Sequence, residues 1–221
     1  MESSLYAALG LGFLLGLRHA IDADHVAAVS ALVSQHRSLA RSCLLGTFWG
    51  LGHTVALLAA GIATIALRFS IPADIERSLE TCVACMLILL GGHVLMKSLA
   101  GHLDPRPLTP HPHDHAHLVR IGGRPFIVGL VHGMAGSAAL MLLVAAALPS
   151  PVGAFLYIFV FGVGSTLGML LLSGLIGLPF VFTAAWSSRS LVLIQAIAGA
   201  ISGGLGLTLL WSLSSVVPPG R

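Results

Sequence analysis

The octapeptide Arg18-His19-Ala20-Ile21-Asp22-Ala23-Asp24-His25 sets five ionisable side chains in the middle of an apolar run. Each would cost at least about 2–3 kcal/mol at the centre of a lipid-facing helix. Together they would expel the segment unless they faced protein, water or a bound ion. A cation site accounts for all of them at once. Two imidazoles beside two carboxylates suit a borderline divalent metal such as Ni²⁺, Co²⁺ or Zn²⁺ better than Mg²⁺ or Ca²⁺, which prefer oxygen alone. At about 100° per helical residue, His19, Asp22 and His25 share one arc of about 120°, whereas Asp24 points nearly the opposite way. Two arrangements stay open. Either Asp22 is the carboxylate ligand, or the span unwinds locally and brings Asp24 round to the histidines. Arg18 and Asp22 also have the spacing of an ordinary i,i+4 ion pair.

Further along the chain, His53 sits between glycines that permit close backbone approach in Gly50-Leu51-Gly52-His53-Thr54. An ionisable group at that depth is expected to line the same path. His132 and Ser165 are weaker path candidates, singled out by the repeat described below. The tract His111-Pro112-His113-Asp114-His115-Ala116-His117 alternates imidazoles with other residues. In an extended chain, alternate side chains point the same way, so His111, His113, His115 and His117 could gather as a weak metal buffer. Cys82 and Cys85 fall within an apolar run. Two thiols cannot complete a tetrahedral site, so they are expected to pack as small apolar residues.

The elements that must position these groups are membrane helices. Of 221 residues, 56% are hydrophobic and only 9% charged, with mean hydropathy +0.96. So few charges cannot cover a soluble domain, and the apolar runs have the length a bilayer demands. The 26 glycines suit closely packed helices. The fold class expected is an all-α integral membrane protein with six spans, at about 5–33, 43–67, 75–99, 125–148, 152–182 and 191–213. Met1-Glu2-Ser3-Ser4 lacks a basic n-region, so the first run reads as a permanent span. No P-loop is present, and His-Glu-x-x-His and Gly-x-Ser-x-Gly are missing too, so neither ATP hydrolysis nor hydrolase chemistry is expected. No catalytic residue is assigned. The loops after spans one, three and five hold Arg37, Arg41, Lys97, Arg106, Arg120, Arg124 and Arg189, against Arg68, Arg77 and Arg221 on the other side. The positive-inside rule then puts both termini outside and the His-rich loop in the cytoplasm.

The chain also matches itself. Phe13-x-x-Gly16-Leu17-x-His19 recurs as Phe126-x-x-Gly129-Leu130-x-His132, an offset of 113. Gly50-x-Gly52-His53-Thr54 recurs as Gly162-x-Gly164-Ser165-Thr166, and Leu79, Ala84, Gly91, Gly92 and Leu95 recur as Leu191, Ala196, Gly203, Gly204 and Leu207, both at 112. The expected organisation is therefore a first three-span repeat over 1–100, a His-rich loop over 101–123 and a second three-span repeat over 124–221. An odd number of spans per half makes the repeats inverted, as in secondary transporters, whose substrates bind where the halves meet. One half would rock against the other.

His19-x-x-x-x-Asp24-His25 resembles the signature of the nickel/cobalt transporter family, and Leu51-Gly52-His53-Thr54 is similar to that family's second motif. His132-Gly133-Met134-Ala135-Gly136-Ser137 resembles its short, six-span UreH-type branch, often linked with urease. The resemblance implies transport of Ni²⁺, or of Co²⁺, as substrate rather than cofactor, across the inner membrane. It implies that His19, Asp24 and His25 select and move the metal, with His53 on the same path. It also allows an accessory component that binds metal but needs a nickel-enzyme maturation partner to move it. One departure stands out. Longer members carry acidic motifs in later spans, but from Gly122 onward this chain has no Asp or Glu. Metal charge must then be balanced by Asp22 and Asp24.

Overall fold

The structure, a computed structural model, describes residues 2–66, 72–100, 116–135, 148 and 150–215. All regular structure among them is helical: α1 (Glu2–His19), α2 (Ala23–Ser34), α3 (Leu39–Gly61, ending in a π turn over Ile62–Ala66), α4 (Ala73–Ala100), α5 (Ala116–Gly133), α6 (Pro151–Trp186) and α7 (Ser188–Ser215). Among the described residues, four stretches are long and apolar enough to cross a bilayer: Leu39–Ile65, Ala73–Ala100, Pro151–Ala184 and Ser188–Ser215. A bent pair, Leu5–His19 with Ala23–Ser34, adds a fifth if counted as one span. The expected fourth span lies partly on residues outside the described ones. Its helix α5 starts at Ala116, inside the stretch expected to be loop.

The surface and interior are inverted relative to a soluble protein. Leu89, Leu171, Leu175, Leu193, Leu207 and Trp211 are exposed, while His25, His53, His132, Ser165 and Ser202 are buried. Apolar surface of that extent needs lipid around it. Cys82 and Cys85 belong to the outer face: both are exposed on α4, contrary to the expectation that they pack inside. The buried stripe of α4 instead runs through Val83, Ala84, Leu87, Gly91 and Val94.

The expected first span is two helices. Ile21 and Asp22 donate backbone hydrogen bonds to the carbonyls of Arg18 and His19, at 3.0 and 3.1 Å, and this tight turn ends α1. Asp22 is extended and becomes the N-cap residue of α2, and the axis bends by 55°. Asp, Asn and Ser are the favoured residues there. Here the Asp22 side chain leaves its cap unfilled and is used elsewhere. At the start of α6 a more usual cap appears, with Ser150 Oγ accepting from Gly153 N at 3.0 Å ahead of Pro151.

Most helix packing joins the first half of the chain to the second. Extensive contacts run between α1 and α6, α3 and α6, α3 and α5, and α4 and α7, while α2 bridges to α4, α6 and α7. Glycines set these crossings. A Cβ on Gly16 would strike the α6 backbone at Phe161 and Ser165, and one on Gly129 would strike the α3 backbone at Trp49. Gly52 meets Phe126 and Gly164 meets Phe13 in the same manner. Gly50 lies against Thr166 and Gly162 against Thr54, and the two threonine hydroxyls hydrogen-bond at 3.0 Å. Every one of these contacts maps onto another when residues are exchanged at the 112–113 offset. Gly91 meets the α7 backbone at Gly199 and Gly203, and Ser202 Oγ donates to the Leu87 carbonyl at 3.1 Å. Helices α1, α6, α3 and α5 thus form one row, with α4 and α7 as a second unit.

Interlacing of this kind does not suit the rocking of one sequence half against the other, because each half buries its helices in the other. The α4–α7 pair meets the row less extensively than the row's helices meet one another, and α2 lies between them. The close crossings make a stability prediction. Gly129→Ala should destabilise the protein by about 1–3 kcal/mol, since its methyl has no room against Trp49. Gly204→Ala, where nothing lies within 4 Å, should stay within about 0.5 kcal/mol of the parent. Thermal unfolding of both variants in the same detergent checks the contrast.

Candidate metal centre

The break at residues 20–22 brings the sequence-predicted side chains together. His19 is the last residue of α1, and His25 lies in the first turn of α2. Their rings stand 4.3 Å apart, centroid to centroid. His53 projects from the middle of α3, 5.0 Å from the His19 ring and 5.2 Å from that of His25. His132, near the end of α5, stacks edge-on at 4.3 Å against the other side of His25. Four imidazoles therefore cluster inside the bundle around His25, which touches the other three. All are buried, with His25 and His53 at 0% exposure.

Two carboxylates orient three of these rings. Asp22 Oδ2 accepts from His19 Nδ1 at 2.8 Å. Asp24 Oδ1 accepts from His25 Nδ1 at 3.1 Å and from the His25 backbone N–H at 2.9 Å. Asp24 Oδ2 accepts from His132 Nε2 at 2.9 Å. An ionised carboxylate only accepts, so each imidazole must donate there and keep a lone pair on its other nitrogen. That is how metal-binding histidines are commonly held, with a carboxylate fixing the tautomer from behind. His19 Nε2 lies 3.2 Å from His53 Nε2. His25 Nε2, His53 Nδ1 and His132 Nδ1 are buried with no hydrogen-bond partner among the described residues.

Among the described residues, two sets of ligand atoms lie close enough to hold an ion: His19, His25 and His53, and Asp24, His25 and His132. In each set the atoms are all within 4.8 Å of one another. They share His25. At metal–nitrogen lengths of about 2.1 Å, nitrogens on one tetrahedral ion lie roughly 3.4 Å apart. The His19–His53 separation already meets that requirement.

Of the residues expected from sequence, Asp22 sits half exposed behind His19 and belongs to neither set. It pairs with His19 and not with Arg18, because the turn at Ala20 and Ile21 takes it out of i,i+4 register. Asp24 reaches the centre because the span is broken between His19 and Ala23. Ser165 is fully buried on α6, its backbone against Gly16 and its hydroxyl without a partner among the described residues. His111, His113 and His115 lie outside the described residues. His117 falls within α5.

Two aromatic neighbours were not anticipated. Phe161 packs on His19 at 5.6 Å, and Trp49 packs on His132 at 5.7 Å and on His25 at 5.1 Å. Trp49 and Phe161 are 112 apart, so the repeat offset could have pointed to them.

Over 96% of its length the chain is 36% identical to the urease accessory protein UreH of Bacillus sp. (strain TB-90), covering 94% of that protein. The chain belongs to the UreH-type branch of the nickel/cobalt transporter family. It is also 24% identical, over 71% of its length and 70% of the other's, to a candidate nickel/cobalt efflux system of Methanocaldococcus jannaschii. The chloroplast protein FOR GROWTH AND FERTILITY 2 of Arabidopsis thaliana matches at 29% over 72% of this chain, and the match spans 44% of that longer protein. No protein-family model matches, and no solved structure does. This UreH-type chain is thus a multi-pass membrane protein with a nickel- or cobalt-related role.

The hydrogen-bond pattern fixes ring tautomers and can be tested without metal. In ¹⁵N-histidine-labelled protein above neutral pH, His19 and His25 should carry their protons on Nδ1 and His132 on Nε2. Asp22→Asn should disturb His19 alone, and Asp24→Asn should disturb His25 and His132 together. Long-range ¹H–¹⁵N correlation spectra report each ring.

Proposed function

We propose that this chain carries a divalent transition-metal ion across the membrane, Ni²⁺ with Co²⁺ as its close competitor, through the buried histidine centre. The observation that carries this reading is the convergence of His19, His25 and His53, two of them tethered through Nδ1 to carboxylates from one broken span. Three neutral nitrogens form a borderline donor set that hard cations do not favour. Asp22 and Asp24 supply two negative charges directly behind the ligands, which offsets the charge of a divalent ion with no acidic residue needed from the second half. Asp24 also serves as a direct ligand when the ion moves to the neighbouring set with His25 and His132. His25, common to both sets, keeps hold of the ion during that passage, and Ser165 lines the way beside His19.

In this reading the chain has six spans in two inverted repeats, 1–100 and 124–221. The exchange of glycine contacts at the 112–113 offset and the Thr54–Thr166 hydrogen bond between the halves support it. Both termini are outside and the His-rich connection before and into the start of α5 is cytoplasmic in the inner membrane, where His111, His113, His115 and His117 buffer metal weakly. The charge distribution supports this orientation.

The name of the Bacillus relative favours a second reading. The chain would then be a membrane accessory for nickel-enzyme maturation that binds metal but requires a maturation partner to move it. Flux of ⁶³Ni²⁺ into proteoliposomes of the purified chain separates the two. Autonomous carriage predicts flux that Co²⁺ inhibits and that falls at least about tenfold in His25→Ala and His53→Ala, each of which removes a ligand. Asp22→Asn should keep flux but lower metal affinity by about 10–100-fold, as loss of an orienting partner does. Binding without flux would assign the accessory role, and the absence of both would end the metal reading.

A further inference from the structure

A partly enclosed cavity of about 270 Å³ begins at the metal centre and runs outward between the α4–α7 pair and the helix row. Among the described residues, Asp24 and His132 form its inner end. Val83, Leu209 and Leu213 form apolar walls, and Ser212 and Glu80 lie further along it on α7 and α4. His132 is 1% exposed, and its Nδ1 has no hydrogen-bond partner among the described residues. Glu80 has no role assigned from sequence; it follows Asp74, Glu76 and Arg77 near the start of α4.

The two ends of the α4–α7 pair differ. Near the start of α4 and the end of α7, the cavity separates the pair from Asp24 and His132. There Arg77, one turn before Glu80, donates to the Leu213 carbonyl and holds α4 to α7. At the opposite end both helices are fastened to the C-terminus of α2. Lys97 Nζ donates to Gln35 Oε1 at 2.8 Å, and Gln195 Nε2 donates to the Ser34 carbonyl at 2.6 Å. The centre is therefore approached from one end of the bundle and closed by α2 at the other.

We propose that this cavity is the route by which the metal ion reaches the centre, and that Glu80 is the cation-attracting group along it. The inference rests on the histidine centre being a metal site. The chemistry follows from the lining. An apolar-walled cleft concentrates the field of one carboxylate and raises the local concentration of a divalent ion. Asp24 then accepts the ion at the inner end, where His132 and His25 complete the nitrogen donors. Arg77 is spent on the Leu213 carbonyl, so its charge is held at the crossing. With the orientation proposed above, the route opens to the outer side.

The test uses full-length protein lacking Cys43, Cys82 and Cys85, in detergent, with Co²⁺ absorbance read by stopped flow. Glu80→Gln should slow Co²⁺ association about tenfold, with the final stoichiometry unchanged and the ionic-strength dependence flattened. Glu80→Asp should restore most of the rate. Ser212→Cys should be modified by a bulky cationic thiol reagent, more slowly when Co²⁺ is present, and the modified protein should bind Co²⁺ far more slowly. Normal association rates in Glu80→Gln and in modified Ser212→Cys would overturn the route, even if the metal site stands. If the parent protein binds no Co²⁺, the site and the route fall together. Binding with no flux in liposomes would remove only the carrier reading, because the association rates still decide the route.

Discussion

Burying imidazoles at membrane depth is the constraint on which this structure is organised. A ring there must have its N–H satisfied, since the bilayer offers no water to do so. Three of the four central rings meet carboxylates, and both carboxylates come from the same broken span. Breaking α1 at His19 is what makes this arrangement possible. It frees Asp22 from the helix ladder to reach back to His19, and it turns Asp24 toward His25 and His132. Local backbone irregularity is tolerated in membranes where it is buried in protein or lines a cavity, and residues 20–22 fit that condition.

The remaining helices serve to hold His53 and His132 against that break. Their side chains can approach closely only because the helices carrying them do. Gly52 and Gly129, one residue and three residues before these histidines, lie against neighbouring backbone, so α3 and α5 cross at close range. Trp49 and Phe161 close the sides of the centre, giving the nitrogens an apolar surround in which electrostatic interactions are strong. Stability and site geometry are coupled here. The glycine contacts that hold the bundle together also set the separations among the imidazoles.

Interlacing changes how such a protein could move. Two halves in sequence are not two bodies in space, because α1 packs on α6 and α5 packs on α3. The α4–α7 pair is joined to the row chiefly through α2, whose N-terminus carries Asp24 and His25 and whose C-terminus meets Lys97 and Gln195. A displacement of that pair would thus act on both the centre and the fastening at the far end.

Much of this was legible in the sequence. Composition required a membrane, and the charge cost of residues 18–25 required an ion or partner in the first span. The 112–113 offset placed His132 opposite His19 and paired His53 with Ser165. What the sequence could not decide was which carboxylate faces the histidines, because a regular helix and a broken one place Asp24 on opposite sides. Likewise, nothing local marked Cys82 and Cys85 as outward-facing, since an apolar stretch reads alike whether it meets lipid or protein. The meeting of Asp24 with His132, 108 residues away, and the placement of Glu80 beside the cavity belong to the tertiary structure alone. Residue types and spacing fix what chemistry a chain can do, because that depends on local covalent structure. Which groups share one site depends on how helices cross, and contacts between distant residues set that.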